Sequence, residues 1–232
     1  MKKSSAISAK TSFLALLAIG ILSGPGFLPS ARATSISTIF TGGNGNSVGG
    51  GNYFDANVNS GITITGLSVA TMAVAGTAIN LEVWTRAGTA FGFEGTSAGW
   101  TLAAMGTGIS AGPGGVGPNS PSSITLSGTF ALGAGVTGIA IKNVDYGASY
   151  TNGDGSNQSY ANGDLTLSLG KANNTFFTLP NFSPRVWNGT IEYTATATTP
   201  AVPDHGASSA VLLALGLVAM GGVARRVIPL GA

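Results

Sequence analysis

The sequence predicts an all-β fold, an antiparallel β-sandwich of jelly-roll type, and three observations carry that prediction. Short runs rich in β-branched and aromatic residues recur between Thr34 and Thr199. Clusters of Gly, Asn, Ser and Pro separate them, and the 232-residue chain holds 37 glycines while only 8% of its residues are charged. No charged amphipathic stretch of helical length occurs in the same region. A single ectodomain over residues 34–196 follows, with sheet layers and many turns.

The expected strands are Tyr53 to Val58, Ile62 to Ala70, Ile79 to Thr85, Trp100 to Met105, Ile124 to Phe130, Val136 to Ile141, Leu165 to Leu169 and Ile191 to Thr196. Alternation is clearest in Ile79, Leu81 and Val83 and in Leu165, Leu167 and Leu169, which places one face of each strand inward. Trp84 then falls on the opposite face, exposed or against a loop, while Trp100 and Trp187 are expected to pack in the core or at an edge. The segments Gly42 to Asn52 and Ser110 to Ser122 have turn composition and nothing to bury, so they read as flexible surface connections. Thr194 to Ala201 reads as the last strand fading into a small-residue linker at 197–201.

Charge narrows the function. The formal net charge is +2, but Lys2, Lys3, Lys10, Arg32, Arg225 and Arg226 all lie in the terminal segments. Between Thr34 and Thr199, Arg86, Lys142, Lys171 and Arg185 face Asp55, Glu82, Glu94, Asp145, Asp154, Asp164 and Glu192, a net of −3. That region lacks the basic stripe a nucleic acid needs. The absence of cysteine excludes disulfides, thiolate metal sites and a Cys nucleophile. His205 is the only histidine and lies beyond the ectodomain, so a Ser-His-Asp triad or a His-based metal site within it is excluded.

Both ends read as addresses. Lys2, Lys3 and Lys10 precede the apolar run Phe13 to Leu22, then the breakers Gly24, Pro25 and Pro29, then Ala31-Arg32-Ala33. This is the order of a secretory signal peptide over residues 1–33, with Ala31 and Ala33 as the small residues of the site and cleavage before Thr34. An uncleaved N-terminal anchor is the alternative, although the run is short for a bilayer. At the other end, Gly206 to Ala224 carries no charge, and as a helix it covers roughly a 30 Å hydrocarbon core. Arg225 and Arg226 follow at once, which sets them on the cytoplasmic side and the ectodomain outside.

"VPDHGAS", an apolar helix and "RR" in that order resemble the three-part sorting signals of the PEP-CTERM class, in the variant with Val-Pro-Asp-x-Gly. Val202, Pro203, Asp204 and Gly206 match the motif at 202–209, Ser208 and Ser209 supply its hydroxyls, and Arg225 with Arg226 supply the basic stop of a signal spanning 202–230. His205 and Ala207 depart from the usual pattern. The resemblance implies a Gram-negative bacterium that makes exopolysaccharide, and a membrane-embedded exosortase as the processing partner. Pro203 and its effect on Val202 hold the motif extended above the membrane, where such an enzyme reaches it. A GPI signal fits less well because of the basic stop. "LEVWTRAGTAFGFEG", "GWTLAAMG" and "FSPRVWNGTIEYT" are also similar to a sandwich domain of exported bacterial proteins with the same tail, which implies fold and location but no activity.

Within the ectodomain, "YTNGDGSNQSYANGD" from Tyr150 to Asp164 is the most suggestive polar loop. Asp154, Asn157 and Asp164 offer the oxygen ligands that calcium takes, against the plainer reading of a long loop, and their spacing is not that of an EF-hand. Tyr146, Tyr150 and Tyr160 either form a sugar-stacking face or cover the end of the core. Arg185 is expected to pair with Glu192 or Glu82, and paired carboxylates for glycoside hydrolysis stay open by count alone. The expectation is a non-enzymatic, exported protein of the cell surface or exopolysaccharide matrix, without cofactor. It is held in the membrane by its C-terminal helix until an exosortase-like enzyme processes it. The alternatives are a carbohydrate-binding module, with extracellular polysaccharide as partner, and a permanently anchored structural protein.

Overall fold

The computed structural model describes residues 32–195. Residues 1–31 of the expected signal peptide, the expected linker at 197–201 and the expected sorting signal at 202–230 lie outside the described residues. Fourteen strands and no helix make up the described part: β1 (Arg32–Ser37), β2 (Asn44–Gly45), β3 (Gly51–Val58), β4 (Ile62–Val69), β5 (Ala78–Ala87), β6 (Thr101–Ile109) and β7 (Ser122–Leu126), then β8 (Phe130–Leu132), β9 (Gly135–Asn143), β10 (Ser149–Asn152), β11 (Ser159–Ala161), β12 (Leu165–Asn173), β13 (Arg185–Trp187) and β14 (Gly189–Ala195).

Eleven of these strands form one antiparallel sheet in the order β1-β14-β4-β7-β6-β5-β9-β3-β12-β11, with β8 also on β4. The sheet curls until its two edge strands nearly meet. Side chains bridge the seam: Asn162 Nδ2 donates to Ser35 O (3.3 Å) and to Tyr193 Oη (2.8 Å), and the Tyr193 hydroxyl donates to Asp164 Oδ2 (3.0 Å). An edge that would otherwise expose ladder groups is thereby covered. The expected antiparallel all-β class is therefore observed, as one large sheet turned on itself with a small three-stranded sheet beside it.

Alternation fills the inside. Ile79, Leu81 and Val83 of β5, Leu165, Leu167 and Leu169 of β12, and Phe54, Ala56 and Val58 of β3 all point into one buried cluster. Strand β4 keeps Ile62, Ile64, Leu67 and Val69 inward although their parity changes, because a bulge opposite Glu192/Tyr193 inserts one extra residue. Each such fully buried aliphatic side chain contributes roughly 1.5–3 kcal/mol, and with no disulfide this burial is the main support of the fold.

The expected run Ile124 to Phe130 is two strands. β4 is shared along its length, with β7 on Leu67–Val69 and β8 on Ile62–Ile64, so the chain must leave the ladder between them, and Ser127 and Gly128 make that step. The five strands that the sequence pattern did not reveal are β1, β2, β10, β11 and β13. All but β1 span four residues or fewer, too short for periodicity to register. The two glycine-rich segments also bury more than expected. Asn46 and Asn119 lie inside, with Asn119 accepting from Gly114 N (2.8 Å) and donating to Gly115 O (2.8 Å).

A second apolar layer covers the outer face of β3, β9 and β5. Tyr53, Ala90, Trp100 and Ala140 form its centre, with Trp84, Phe176 and Phe177 packed against them. The segment from Gly88 to Trp100 crosses β9 at Gly138, where any Cβ would meet the Ala90 backbone within 3 Å, so only glycine fits the crossing.

Candidate functional site

Three short strands form a separate sheet in the order β13-β10-β2. Its register pairs Tyr150 with both Asn44 and Trp187, and Asn152 with Arg185; Asn44, Tyr150, Asn152 and Arg185 share one face, while Trp187 packs into the inner core. Asn44 is fixed by its own turn: its Oδ1 accepts from Gly45 N (2.8 Å) and its Nδ2 donates to Asn152 Oδ1 (2.9 Å). The face is completed from β12. Phe182 pairs with Ala172 through reciprocal backbone bonds of 2.8 and 3.1 Å, and Asn174 accepts from Ser47 N (3.2 Å).

Asn44, Gly45, Tyr150, Asn174, Phe182 and Arg185 enclose a pocket of about 140 Å³. Arg185 is its only charge. The guanidinium carbon lies 5.9 Å from the Tyr150 ring centre and 5.8 Å from that of Phe182, within cation–π range of both. Nη1 donates to Pro184 O (2.8 Å), while Nε is buried without a partner. The expected ion pair is not made: Glu82 is engaged by Lys142 Nζ (3.0 Å) and Trp84 Nε1 (2.8 Å), and among the described residues Arg185 has no carboxylate within ion-pair distance. Sheet pairing aims Arg185 at Asn152 of β10, whereas Glu192 lies on β14 over Gly66 of β4.

The polar loop expected as a calcium or glycan site is divided by the fold. Asp154 turns inward on its own loop: Oδ1 accepts from Ser156 N (2.8 Å), Ser156 Oγ (2.8 Å) and Asn157 N (3.1 Å). These bonds hold the Asp154 carboxyl below the usual carboxylate range. Asn157 Oδ1 accepts from Asp154 N (3.1 Å), which makes the turn self-contained. Asp164 belongs to the seam instead, where its Oδ2 accepts from the Tyr193 hydroxyl, and it shares no hydrogen-bond partner with Asp154. Among the described residues no three His, Asp or Glu side chains gather.

The tyrosines also part company. Tyr146 is 37% exposed, Tyr150 is only 2% exposed beside Ala148 and Ala172, and Tyr160 is half-buried against the inner core, where burial pushes its phenol up. They form no common platform: Tyr160 packs against the inner core, and Tyr150 lies in a small separate cluster with Ala148 and Ala172. Of the pocket residues, Tyr150 and Arg185 were singled out from the sequence. Asn44, Gly45, Asn174 and Phe182 were not, because they come from three distant segments with no shared spacing. Trp84 packs against Phe176 and Phe177, Trp100 joins the same outer layer, and Trp187 stacks on Phe54 in the inner core at 5.1 Å.

Among the expected signal residues, Ala33 and Thr34 lie in β1, and Ala31 falls outside the described residues. Comparison of the chain with protein-family models and with curated proteins returns no match.

Proposed function

We propose that the protein is an exported, non-catalytic β-domain, a jelly-roll-like sandwich, that a C-terminal sorting signal parks at the membrane for transfer to the cell surface or exopolysaccharide matrix. The ordered tail of Val202, Pro203, Asp204 and Gly206, an uncharged apolar run, and Arg225 with Arg226 carries this reading. The fold is compatible with it. Arg32 pairs with Ala195, so both flanking segments leave the same end of the sheet. The pocket strand β13 ends at Trp187, at the opposite end of β14, roughly 20 Å away along the strand. A domain tethered through Ala195 therefore holds its pocket away from the tether. Cleavage before Thr34 keeps the pairings from Thr34 with Tyr193 to Ser37 with Thr190, so a processed chain retains most of its first strand.

Intact mass of the protein recovered from its native host, separately from membrane and extracellular matrix, tests the proposal. A species starting at Thr34 and ending between Val202 and Gly206 is expected in the matrix or at the surface. A membrane-only species that retains Arg225 and Arg226 would instead establish a permanently anchored protein, and a product retaining Lys2 and Lys3 would establish an uncleaved N-terminal anchor in place of a cleaved signal peptide.

A further inference from the structure

We infer that the pocket at Arg185 binds an acidic monosaccharide unit, a hexuronate within or at the end of a polysaccharide, with Arg185 as the carboxylate anchor. The inference deepens the proposed surface or matrix role by naming the ligand class of the domain's outer end, and for its biological setting it rests on that role.

The charge comes first. Arg185 is a half-buried guanidinium with no carboxylate partner among the described residues, and its Nε is desolvated without a hydrogen bond. Such a charge is unfavourable unless something supplies the missing acceptors. Nε is closed off from solvent and Pro184 O holds a single N–H of Nη1, so the terminal Nη1 and Nη2 edge is left for an external acceptor. A planar carboxylate meets that edge with two parallel hydrogen bonds, which a hydroxyl does not. Asp154 of the loop after β10 turns its Oδ1 onto Ser156 and Asn157 and makes no ion pair with Arg185.

The walls then select a ring over a bare anion. Tyr150 and Phe182 flank the guanidinium; Tyr150 is buried behind it, and the half-buried Phe182 presents aromatic surface to the C–H groups of a pyranose. Asn174 uses its Oδ1 on Ser47 N and keeps its Nδ2 donors for ligand hydroxyls, and Asn44 Oδ1 has acceptor capacity beyond Gly45 N. The volume of about 140 Å³ is well below the roughly 300 Å³ at which ordinary small-molecule sites begin, so it suits one sugar ring with the chain continuing outward.

Isothermal titration calorimetry of the full chain in a nonionic detergent tests this with sodium glucuronate, glucose and sodium acetate. Saturable one-to-one binding of glucuronate is expected, with glucose and acetate each at least about tenfold weaker. Arg185→Gln should weaken glucuronate by about tenfold or more, and Asn174→Ala by a smaller factor. Should Arg185→Gln fail to fold, Arg185→Lys keeps the charge and loses the fork, and a comparable weakening is expected. Three outcomes overturn the inference: no saturable glucuronate binding, acetate binding as tight as glucuronate, or unchanged affinity in the Arg185 variant. Each leaves the mass test of sorting untouched, and a failed mass test leaves glucuronate binding untouched.

Discussion

The two apolar layers of this molecule are built on different rules. The inner one is mainly aliphatic, drawn mostly from alternating positions of ten strands, nine of which already satisfy one another's backbones in a single sheet. The outer one is aromatic, roofed by loop backbone, and pinned by polar groups: the Tyr53 hydroxyl accepts from Phe177 N (2.9 Å) and Asn173 Nδ2 (2.8 Å), while Glu94, 3% exposed, accepts from Gly92 N (3.0 Å) and Asn181 Nδ2 (3.3 Å) and faces Lys171 at 3.6 Å. The inner layer depends on volume. The outer layer depends on hydrogen bonds that only the right partner makes.

The comparison predicts that the inner layer fails most severely when a side chain is removed. Phe54 is fully buried and stacked on Trp187 at 5.1 Å, so Phe54→Ala should cost about 3–5 kcal/mol in denaturant unfolding. A cost below that of Phe176→Ala, a partly buried member of the outer layer, would reverse the ranking of the two layers.

The outer layer should instead show itself through pH. Burial is the main cause that raises the Tyr53 phenol from 10.0 to about 12, and nearby Glu94 adds to it. The unfolded phenol ionises first, so the stability that the neutral ring lends is complete below pH 10 and is lost as pH rises through 12, by about 2–3 kcal/mol. Because burial also pushes the Tyr193 and Tyr160 phenols up, the difference between the parent and Tyr53→Phe between pH 9 and 11.5 isolates Tyr53. Parallel pH curves for the two would show that the ring is not enclosed. A smaller loss, about 1–3 kcal/mol, is expected for Glu94→Ala at neutral pH, since it strands the Gly92 N–H and the Asn181 amide under the roof. Equal stability with the parent would mean that those groups find water.

The same contrast explains what the sequence discloses. Period-two runs such as Ile79, Leu81, Val83 identify inner strands because every alternate side chain meets the same environment. The outer layer leaves no such trace. Tyr53, Trp100 and Phe177 are single residues from remote segments, and Phe177 holds a left-handed φ of 56° that nothing local in "NNTFFTLP" announces. The pocket at Arg185 is hidden for the same reason: its six residues come from five stretches of chain that only the short sheet and the Phe182 bridge bring together. Arg185 itself suggests an ion pair in a list of residues, and only the register of β13 on β10 shows that no carboxylate arrives.

The loop from Gly153 to Gln158 sharpens the contrast by belonging to neither layer. Its order comes from local bonds, with Asp154 Oδ1 accepting from Ser156 and Asn157 and Gly155 N donating to Gln158 Oε1 (2.7 Å). The Asp154 carboxyl lies below its usual range and is fully exposed, so the stability it lends is present above the ordinary carboxylate pKa and fades as pH falls. Its Oδ1 is already turned toward the loop's own N–H and hydroxyl groups, and a calcium ion would have to break those bonds to gain that oxygen as a ligand. Millimolar calcium should therefore leave the melting temperature nearly unchanged, and Asp154→Ala should shift it less than any substitution above. A rise of several degrees with calcium that Asp154→Ala abolishes would mean that the loop reorganises around the ion, and that a third, metal-supported region has to be set beside the two layers.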